Sequence, residues 1–243
     1  VTETVERISV LQCNVPIVVL TSLNDIELAN DLIARGIQDY LPKEELSKHL
    51  LYRTCNYAIE RRQLLHRIEQ LAYQDSLTNL NNRRQFDTLL HRQVSGANRY
   101  NYPLSLCICD IDKFKDVNDT YGHIAGDRAL ISFSEIILNT IRSEDIAARF
   151  GGDEFAIVFP YVDMHGAFSC IKRIQKTLRK TLIEYSNSEF QITTSMGIAE
   201  YHGAMTADDF LQAADNALYE AKKSGRNRIH VVDNCSNSTN GRF

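Results

Sequence analysis

Two adjacent glycines, Gly151 and Gly152, stand between two apolar runs, Ile146-Ala147-Ala148-Arg149-Phe150 and Phe155-Ala156-Ile157-Val158-Phe159. That arrangement leaves few local folds open. Each run reads as a strand, and glycine alone enters positive φ without steric cost, so the pair predicts a tight antiparallel hairpin. A plain hairpin has no need of Asp153 and Glu154 directly after the glycines. There the backbone is bare enough for a ligand to approach, and two carboxylates sit where a cation could be held. Taken alone, a solvated acidic turn is the simpler reading; the rest of the chain decides against it.

Upstream, Leu104-Ser105-Leu106-Cys107-Ile108-Cys109 is apolar on both faces and reads as a central strand. It runs into Asp110-Ile111-Asp112. A carboxylate at the end of a buried strand is costly to desolvate without a cation or hydrogen bonds. Simple solvation is an adequate alternative for Asp112 and a poorer one for Asp110. The stretch from Lys113 to Asp127 follows as a polar, glycine-bearing turn region leading into a helix expected over 128–142. Asn118 and Asp127 have a turn-and-cap reading, because Asp127 would precede that helix. They also have a base-recognition reading. A carboxylate can accept both N1–H and N2–H of guanine, and adenine offers no such donor pair. A site built this way would reject adenine.

Taken in order and spacing, Asp110-Ile111-Asp112, Asn118-Asp119, Gly122-His123, Gly126-Asp127 and Gly151-Gly152-Asp153-Glu154-Phe155 resemble a GGDEF-domain diguanylate cyclase. The resemblance runs from Asp75 to Val232 and opens with Asp75-Ser76-Leu77-Thr78 and Asn82-Arg83-Arg84. Asn79 departs from the family's usual Gly, but Asn tolerates positive φ, so the change costs little.

The resemblance implies an α/β (α+β) fold: a palm-like, ferredoxin-like antiparallel sheet with flanking helices. It implies condensation of two GTP into cyclic di-GMP, a bacterial second messenger, with release of two pyrophosphates. One chain holds one GTP, so a homodimer of facing domains is expected. Carried over position by position, Asp110, the Ile111 carbonyl, Asp153 and Glu154 would hold two Mg²⁺, with Mn²⁺ as a substitute. Asp110, Asp153 and Glu154 then form the catalytic set. Elementary chemistry agrees, since Mg²⁺ binds hard oxygens through a few carboxylates and phosphate oxygens. A metal pair about 3.5–4 Å apart stabilises attacking and leaving oxygens together. Asn118 and Asp127 would read guanine, Phe114 and Lys115 would line the triphosphate, and Gly151 and Gly152 would let it approach.

Near the end, Ala214, Ala217, Leu218 and Ala221 form an apolar helical stripe that Gly225 stops. Lys222 and Arg226 flank that stop. They complement the dipole of the helix C-terminus, and the resemblance assigns both to the β- and γ-phosphates; the two readings are compatible. Arg142-Ser143-Glu144-Asp145 means little as a bare motif. Its offset from the hairpin matches the family's product-inhibition site, where Arg142 and Asp145 would grip cyclic di-GMP and Arg173 would be the second arginine. A surface ion pair is the alternative.

The scaffold reads more simply. Helices are expected over 83–94, capped by Asn82, and over 167–184, with Ile171, Ile174 and Leu178 inward. A loop is expected over 95–103. Gly197, within the strand-like stretch Phe190 to Ala199, suggests a bulge or a close backbone approach.

The first part of the chain is different in kind. Val15 to Thr21 reads as a buried strand, a helix is expected from an Asn24 or Asp25 cap to Gly36, and Ile37 to Lys43 reads as a second strand. A strand-helix-strand unit implies parallel pairing. This piece resembles the C-terminal half of a response-regulator receiver domain, of the kind used in two-component signalling, with Thr21 and Lys43 at the family's hydroxyl and ammonium positions. The phosphoacceptor Asp and the acidic pair belong upstream, so this piece cannot itself be phosphorylated. Glu44 replaces the family's usual Pro. An ordinary α/β remnant is the alternative. Beyond it, Leu51, Ala58, Leu65 and Ala72 recur every seven residues, with Leu50, Tyr57, Leu64 and Leu71 beside them. That stripe reads either as a helix packed on its own domain or as a coiled-coil stalk pairing two chains.

The expected division is a partial receiver-like segment over 1–45, a linker helix over 46–74, a catalytic domain over 75–233 and a polar tail over 234–243. A net charge of −4 with no long basic block gives a nucleic-acid partner no electrostatic support. No apolar run approaches the ~20 residues of a membrane span. The six cysteines are scattered, and Cys107 and Cys109 lie in a strand pattern, so buried thiols are expected, as in the cytoplasm. The chain begins at Val1, which suggests a piece of a longer protein. The expectation is a cytoplasmic diguanylate cyclase. Two other classes compete: a catalytically silent receptor for cyclic di-GMP, and a dimerisation module for another effector.

Overall fold

The computed structural model describes residues 15–22, 33, 37–186, 188–203 and 205–232, without the side chains of 66 and 69–72. The chain divides into two compact units, Val1–Leu71 and Ala72–Phe243. The helix expected over 24–36 lies outside the described residues apart from Ile33, as does the polar tail.

In the first unit, β1 (Val18–Thr21) pairs in parallel with β2 (Asp39–Pro42), Thr21 standing opposite Pro42. Gln38 locks the entry to this pair. Its side-chain oxygen accepts from the Ile17 N–H at 2.6 Å, and its own N–H donates to the Ile17 carbonyl at 3.0 Å. Lys43 does not continue the strand. Pro42 is followed by a short 3₁₀ turn, Lys43–Glu45. Helix α1 (Lys48–Tyr73) begins where Ser47 accepts the Leu50 N–H on its hydroxyl and the Leu51 N–H on its carbonyl. Along α1, Leu51, Tyr57, Leu64, Leu65 and Ile68 are exposed, whereas Ala58 is buried. The side chains of Leu71 and Ala72, which would complete the heptad stripe, lie outside the description.

The second unit is built on one sheet. In chain order its elements are β3 (Asn81–Asn82), α2 (Arg83–Tyr100), β4 (Leu104–Ile111), α3 (Phe114–Tyr121), α4 (His123–Thr140), β5 (Ile146–Gly151) and β6 (Glu154–Pro160). Then come α5 (Met164–Leu178), a small hairpin of β7 (Ile183–Tyr185) and β8 (Ser188–Phe190), β9 (Thr194–Glu200), α6 (Ala207–Lys223) and β10 (Ile229–Val231). The strand order is β10-β9-β4-β6-β5-β3. The four inner strands are antiparallel, and the edge strands β10 and β3 join in parallel, so the sheet is mixed.

Every residue of β4 is buried because helices cover both faces of the sheet. With a side-chain period of two, Cys107, Cys109 and Ile111 enter one core with Phe133 and Ile137 of α4 and Ile171 and Ile174 of α5. Leu104, Leu106 and Ile108 enter the other, with Phe86 and Leu90 of α2 and Phe210, Ala214 and Leu218 of α6. Asp110 continues the second series, so its side chain belongs to the α6 face. Gly197 of β9 explains how closely α6 lies there. A Cβ at this position would collide with the helix backbone at Ala214, Ala217 and Leu218. The glycine marks a close approach of backbones rather than a bulge.

Three helix boundaries differ from expectation. Helix α2 does not stop at Val94 but runs to Tyr100, because Ala97 is buried and Asn101, at φ 51°, forms a left-handed cap. The stretch from Lys113 to Asp127 is not a turn region. It holds α3 and the first turn of α4, separated by Gly122 at φ 86°. Helix α5 starts earlier and ends earlier, at Leu178. Asp163 caps it by accepting the Gly166 N–H, and residues 183–185 are strand.

Candidate active site

The hairpin of β5 and β6 turns through Gly151 (φ 138°) and Gly152 (φ 54°), conformations that side chains resist. Arg149 pairs with Phe155 and Gly151 with Glu154, so Phe150 is an extra residue and the ladder shifts there. Arg149 holds the turn from inside. Its Nε and Nη2 donate to the Gly152 carbonyl at 3.0 and 2.7 Å. Its Nη1 donates to both carboxylate oxygens of Asp75, at 3.1 and 3.2 Å. Asp75 also accepts the N–H and hydroxyl of Thr78, at 2.9 and 2.7 Å. Burial alone would raise the Asp75 carboxyl, but the Thr78 hydrogen bonds and the Arg149 guanidinium outweigh it and hold it below the usual range. Asn79 takes φ 58° in the same turn, the conformation anticipated for a residue replacing Gly.

Asp110 lies directly opposite Glu154 in the β4–β6 register. The Ile111 N–H donates to the Asp153 carbonyl at 3.2 Å, so the strand end and the turn are stitched together. All three acids named from the sequence therefore meet at one corner of the sheet. Asp110 is only 9% exposed. Burial raises its carboxyl above the ordinary value, Lys222 pulls it back, and the charges of Asp153 and Glu154 push it up again. The Lys222 ammonium sits 2.6 Å from Asp110 Oδ2.

The donor chemistry suits a hard divalent cation: oxygen ligands only, in a place where like charge is concentrated on a buried carboxylate. Among the described residues, no three His, Cys, Asp or Glu side chains are drawn into a closed ligand set. Here the cation that meets Asp110 is Lys222.

Asp112 is not a solvated strand-end acid. At 8% exposure it accepts the Thr193 hydroxyl at 2.7 Å, the Ser195 hydroxyl at 2.6 Å and the Asn227 N–H at 2.9 Å. Arg179 grips the same Asn227 at its side-chain and backbone oxygens, at 2.8 and 2.6 Å. Helix α6 ends in a complete Schellman motif. The Gly225 N–H donates to the Lys222 carbonyl and the Arg226 N–H to the Ala221 carbonyl, with Gly225 at φ 109°. Lys222 is thus in the last turn and Arg226 just past it, exposed, on a loop that Asp112 fixes.

Asn118 lies on α3 and Asp127 in the second turn of α4, so Asp127 does not cap the helix; Gly122 stands at the cap position. The Asn118 side chain packs on Gly126, where an added Cβ would strike its amide oxygen. Neither Asn118 nor Asp127 has a side-chain hydrogen-bond partner among the described residues, and Asp127 is exposed. Phe114 and Lys115 open α3, with Phe114 also near Gly126 and Lys115 in solvent.

The Arg142 and Asp145 pair occupies a separate place, where Leu80, Leu138 and Ala147 line a cavity of about 290 Å³ with them. Asp145 Oδ2 accepts the Arg142 N–H at 2.8 Å, while Oδ1 is buried without a partner among the described residues. Burial raises the Asp145 carboxyl, against Arg142. Arg173 reaches the same neighbourhood and donates to the Thr140 carbonyl at 2.9 Å. The half-buried Cys170 thiol is raised by burial, lowered by Arg173 and Arg142 and raised by Asp145, so these three charges converge on it.

Sequence reasoning missed the Asp75–Arg149 clamp, the Asp112 network and the Lys222–Asp110 pair. Their partners lie far apart in the chain, and no local spacing marks them.

Residues 72–228 match the family described as "Diguanylate cyclase, GGDEF domain", and the chain belongs to that family. Diguanylate cyclase DosC of Escherichia coli (strain K12) is 40% identical over 158 residues, covering 65% of this chain and 34% of the relative. Among solved structures, the GGDEF domain of DgcB from Caulobacter crescentus in complex with c-di-GMP is 34% identical. It has a TM-score of 0.65 and covers 66% of this chain and 93% of that one. The coiled coil and GGDEF domain of the same protein, also with c-di-GMP, superposes with a TM-score of 0.71 at 30% identity. It covers 76% of this chain and 98% of that one. The chain spans about a third of the length of the curated DosC relatives it matches.

Proposed function

We propose that this protein condenses two GTP into cyclic di-GMP and releases two pyrophosphates. One observation carries the reading: Asp110 faces Glu154 across the register at a turn bared by two glycines, with Asp153 beside them and Lys222 above. The named cyclases and c-di-GMP complexes among the relatives support the same reading.

The residues that would hold Mg²⁺ are Asp110, Asp153, Glu154 and the Ile111 carbonyl. Bound there, the ions would lower the pKa of the ribose 3′-hydroxyl and offset charge at the α-phosphate. The chain's own groups do the positioning. Asn118 and Asp127, whose polar side-chain atoms have no partner among the described residues, take the guanine edge. Lys222 and Arg226 take the outer phosphates, the leaving group's charge, and Phe114 and Lys115 flank the triphosphate at the start of α3. Dimerisation through α1, whose apolar side chains Leu51, Leu64, Leu65 and Ile68 are exposed, would bring two half-sites together. Product feedback belongs at Arg142, Asp145 and Arg173. The buried Asp145 Oδ1, without a partner among the described residues, wants a donor, and a guanine edge offers one. That same cavity keeps alive the second reading, a silent c-di-GMP receptor.

We further infer that residues 1–45 form the end of a receiver-like domain. In support, Thr21 ends β1 and Lys43 directly follows β2 at the same end of the parallel pair. No described helix is long and apolar enough to cross a membrane, and a cytoplasmic location fits the substrate. The test is direct: incubate the protein with GTP and Mg²⁺ and look for cyclic di-GMP and pyrophosphate. Product dependent on both Asp110 and Glu154 supports the cyclase; tight product binding with no turnover favours the receptor instead.

A further inference from the structure

At the far end of β4 from the acidic corner, roughly 23 Å along the strand, lies a cavity of about 420 Å³ that the cyclase reading leaves unused. Arg92 and Arg99 of α2 line it, with Gly96 between them and Tyr100, Tyr102 and Tyr161 around it. No acid lines it. Neither arginine has a carboxylate partner among the described residues, although the two stand on one helix face about 10.5 Å apart along the axis.

The aromatic part is built rather than incidental. Tyr102 rests its hydroxyl over Gly96, where a Cβ would collide with it, and donates to the Gln93 carbonyl at 3.1 Å. Tyr161 lies against Tyr102 with ring centroids 4.1 Å apart and the ring planes tilted by 33°. It does so from a left-handed backbone at φ 60°, unfavourable for an aromatic residue, while remaining 67% exposed. Little burial rewards that conformation. Strain held at an exposed aromatic platform, beside two guanidiniums without a carboxylate partner among the described residues, is the pattern of a ligand site.

We propose that this cavity binds a ring-bearing phosphate of mononucleotide size, its anion between Arg92 and Arg99 and its base on the exposed tyrosine faces. The volume falls in the small-molecule range, and base stacking on tyrosine tolerates any base.

The test uses AMP on the full chain, followed by ligand-observed NMR, with adenosine and ribose 5-phosphate as half-ligands. AMP is chosen because a guanine-reading pair at Asn118 and Asp127 would reject adenine. Saturable AMP binding is expected, with each half-ligand weaker by about tenfold or more, the loss of either a charged contact or a stacked base. The Arg92→Ala, Arg99→Ala double variant and Tyr161→Gly should each weaken AMP by about tenfold. Tyr161→Gly also removes the backbone strain, so its thermal transition should hold or rise, which separates lost binding from lost folding. No saturable AMP binding overturns the proposal. So does binding that both variants leave unchanged, that adenosine matches, or that Asn118→Ala abolishes.

Discussion

Lys222 places its ammonium 2.6 Å from Asp110 Oδ2, linking the last turn of α6 to the end of β4. In the proposed reaction the same lysine serves the phosphates, and the same aspartate a cation. Without nucleotide each is the other's counter-ion, so a divalent ion must compete with Lys222 for Asp110. Lys222→Ala should therefore bind Mn²⁺ several-fold more tightly in the absence of GTP, read by spin-resonance titration, while turnover falls. Unaltered Mn²⁺ affinity would show that the pair does not compete with metal.

The raised Asp110 carboxyl sets a pH dependence. Only its ionised form can hold a cation, so activity should rise as pH climbs through a value above the ordinary aspartate one. Lys222 lowers that value, so Lys222→Ala should move the acid limb of kcat/KM to higher pH. Stability runs the other way. A carboxyl raised on folding contributes stability below its unfolded pKa and loses it as pH rises through the folded one. Asp110→Asn should thus abolish turnover while raising stability at neutral pH by about 1 kcal/mol, read as a higher Tm. A lower Tm would contradict this account of burial.

Asn118 has room only because residue 126 lacks a side chain. Gly126→Ala gains about 1 kcal/mol of helix propensity but displaces the Asn118 amide. Steady-state kinetics should show KM for GTP up about tenfold with kcat little changed, the signature of lost ground-state binding. An unchanged KM would remove Asn118 from guanine recognition.

Arg149 ties the glycine turn to Asp75. Arg149→Ala removes charged hydrogen bonds from a partly buried site and should cost about 2 kcal/mol, seen in urea denaturation. Because Asp75 is depressed, its contribution is present above the ordinary carboxylate pKa and is lost as pH falls through the lower folded value. The difference between wild type and Arg149→Ala should therefore shrink on acidification. A constant difference would mean the pair contributes through packing alone.

Feedback is separable from catalysis if it lives at Arg142 and Asp145. Arg142→Ala should leave initial rates intact and shift the half-inhibiting concentration of added cyclic di-GMP upward by tenfold or more, about 1.4 kcal/mol for one charged contact. An identical inhibition curve would remove the regulatory assignment.

What the chain's letters alone determined was local. The continuous apolar run from Leu104 to Cys109, the glycine turn before Asp153, and the stripe of α6 with its Gly225 stop are short-range patterns, and each named its element. The letters misplaced the helix around Asn118 and Asp127, because a single Gly122 at positive φ splits one polar stretch into two helices. They could not show that Asp112 is buried beneath two hydroxyls and a backbone N–H, that Arg149 reaches Asp75, or that Lys222 meets Asp110. Those pairs are separated by scores of residues, and only strand register and the close seating of α6 on Gly197 bring them within hydrogen-bond distance.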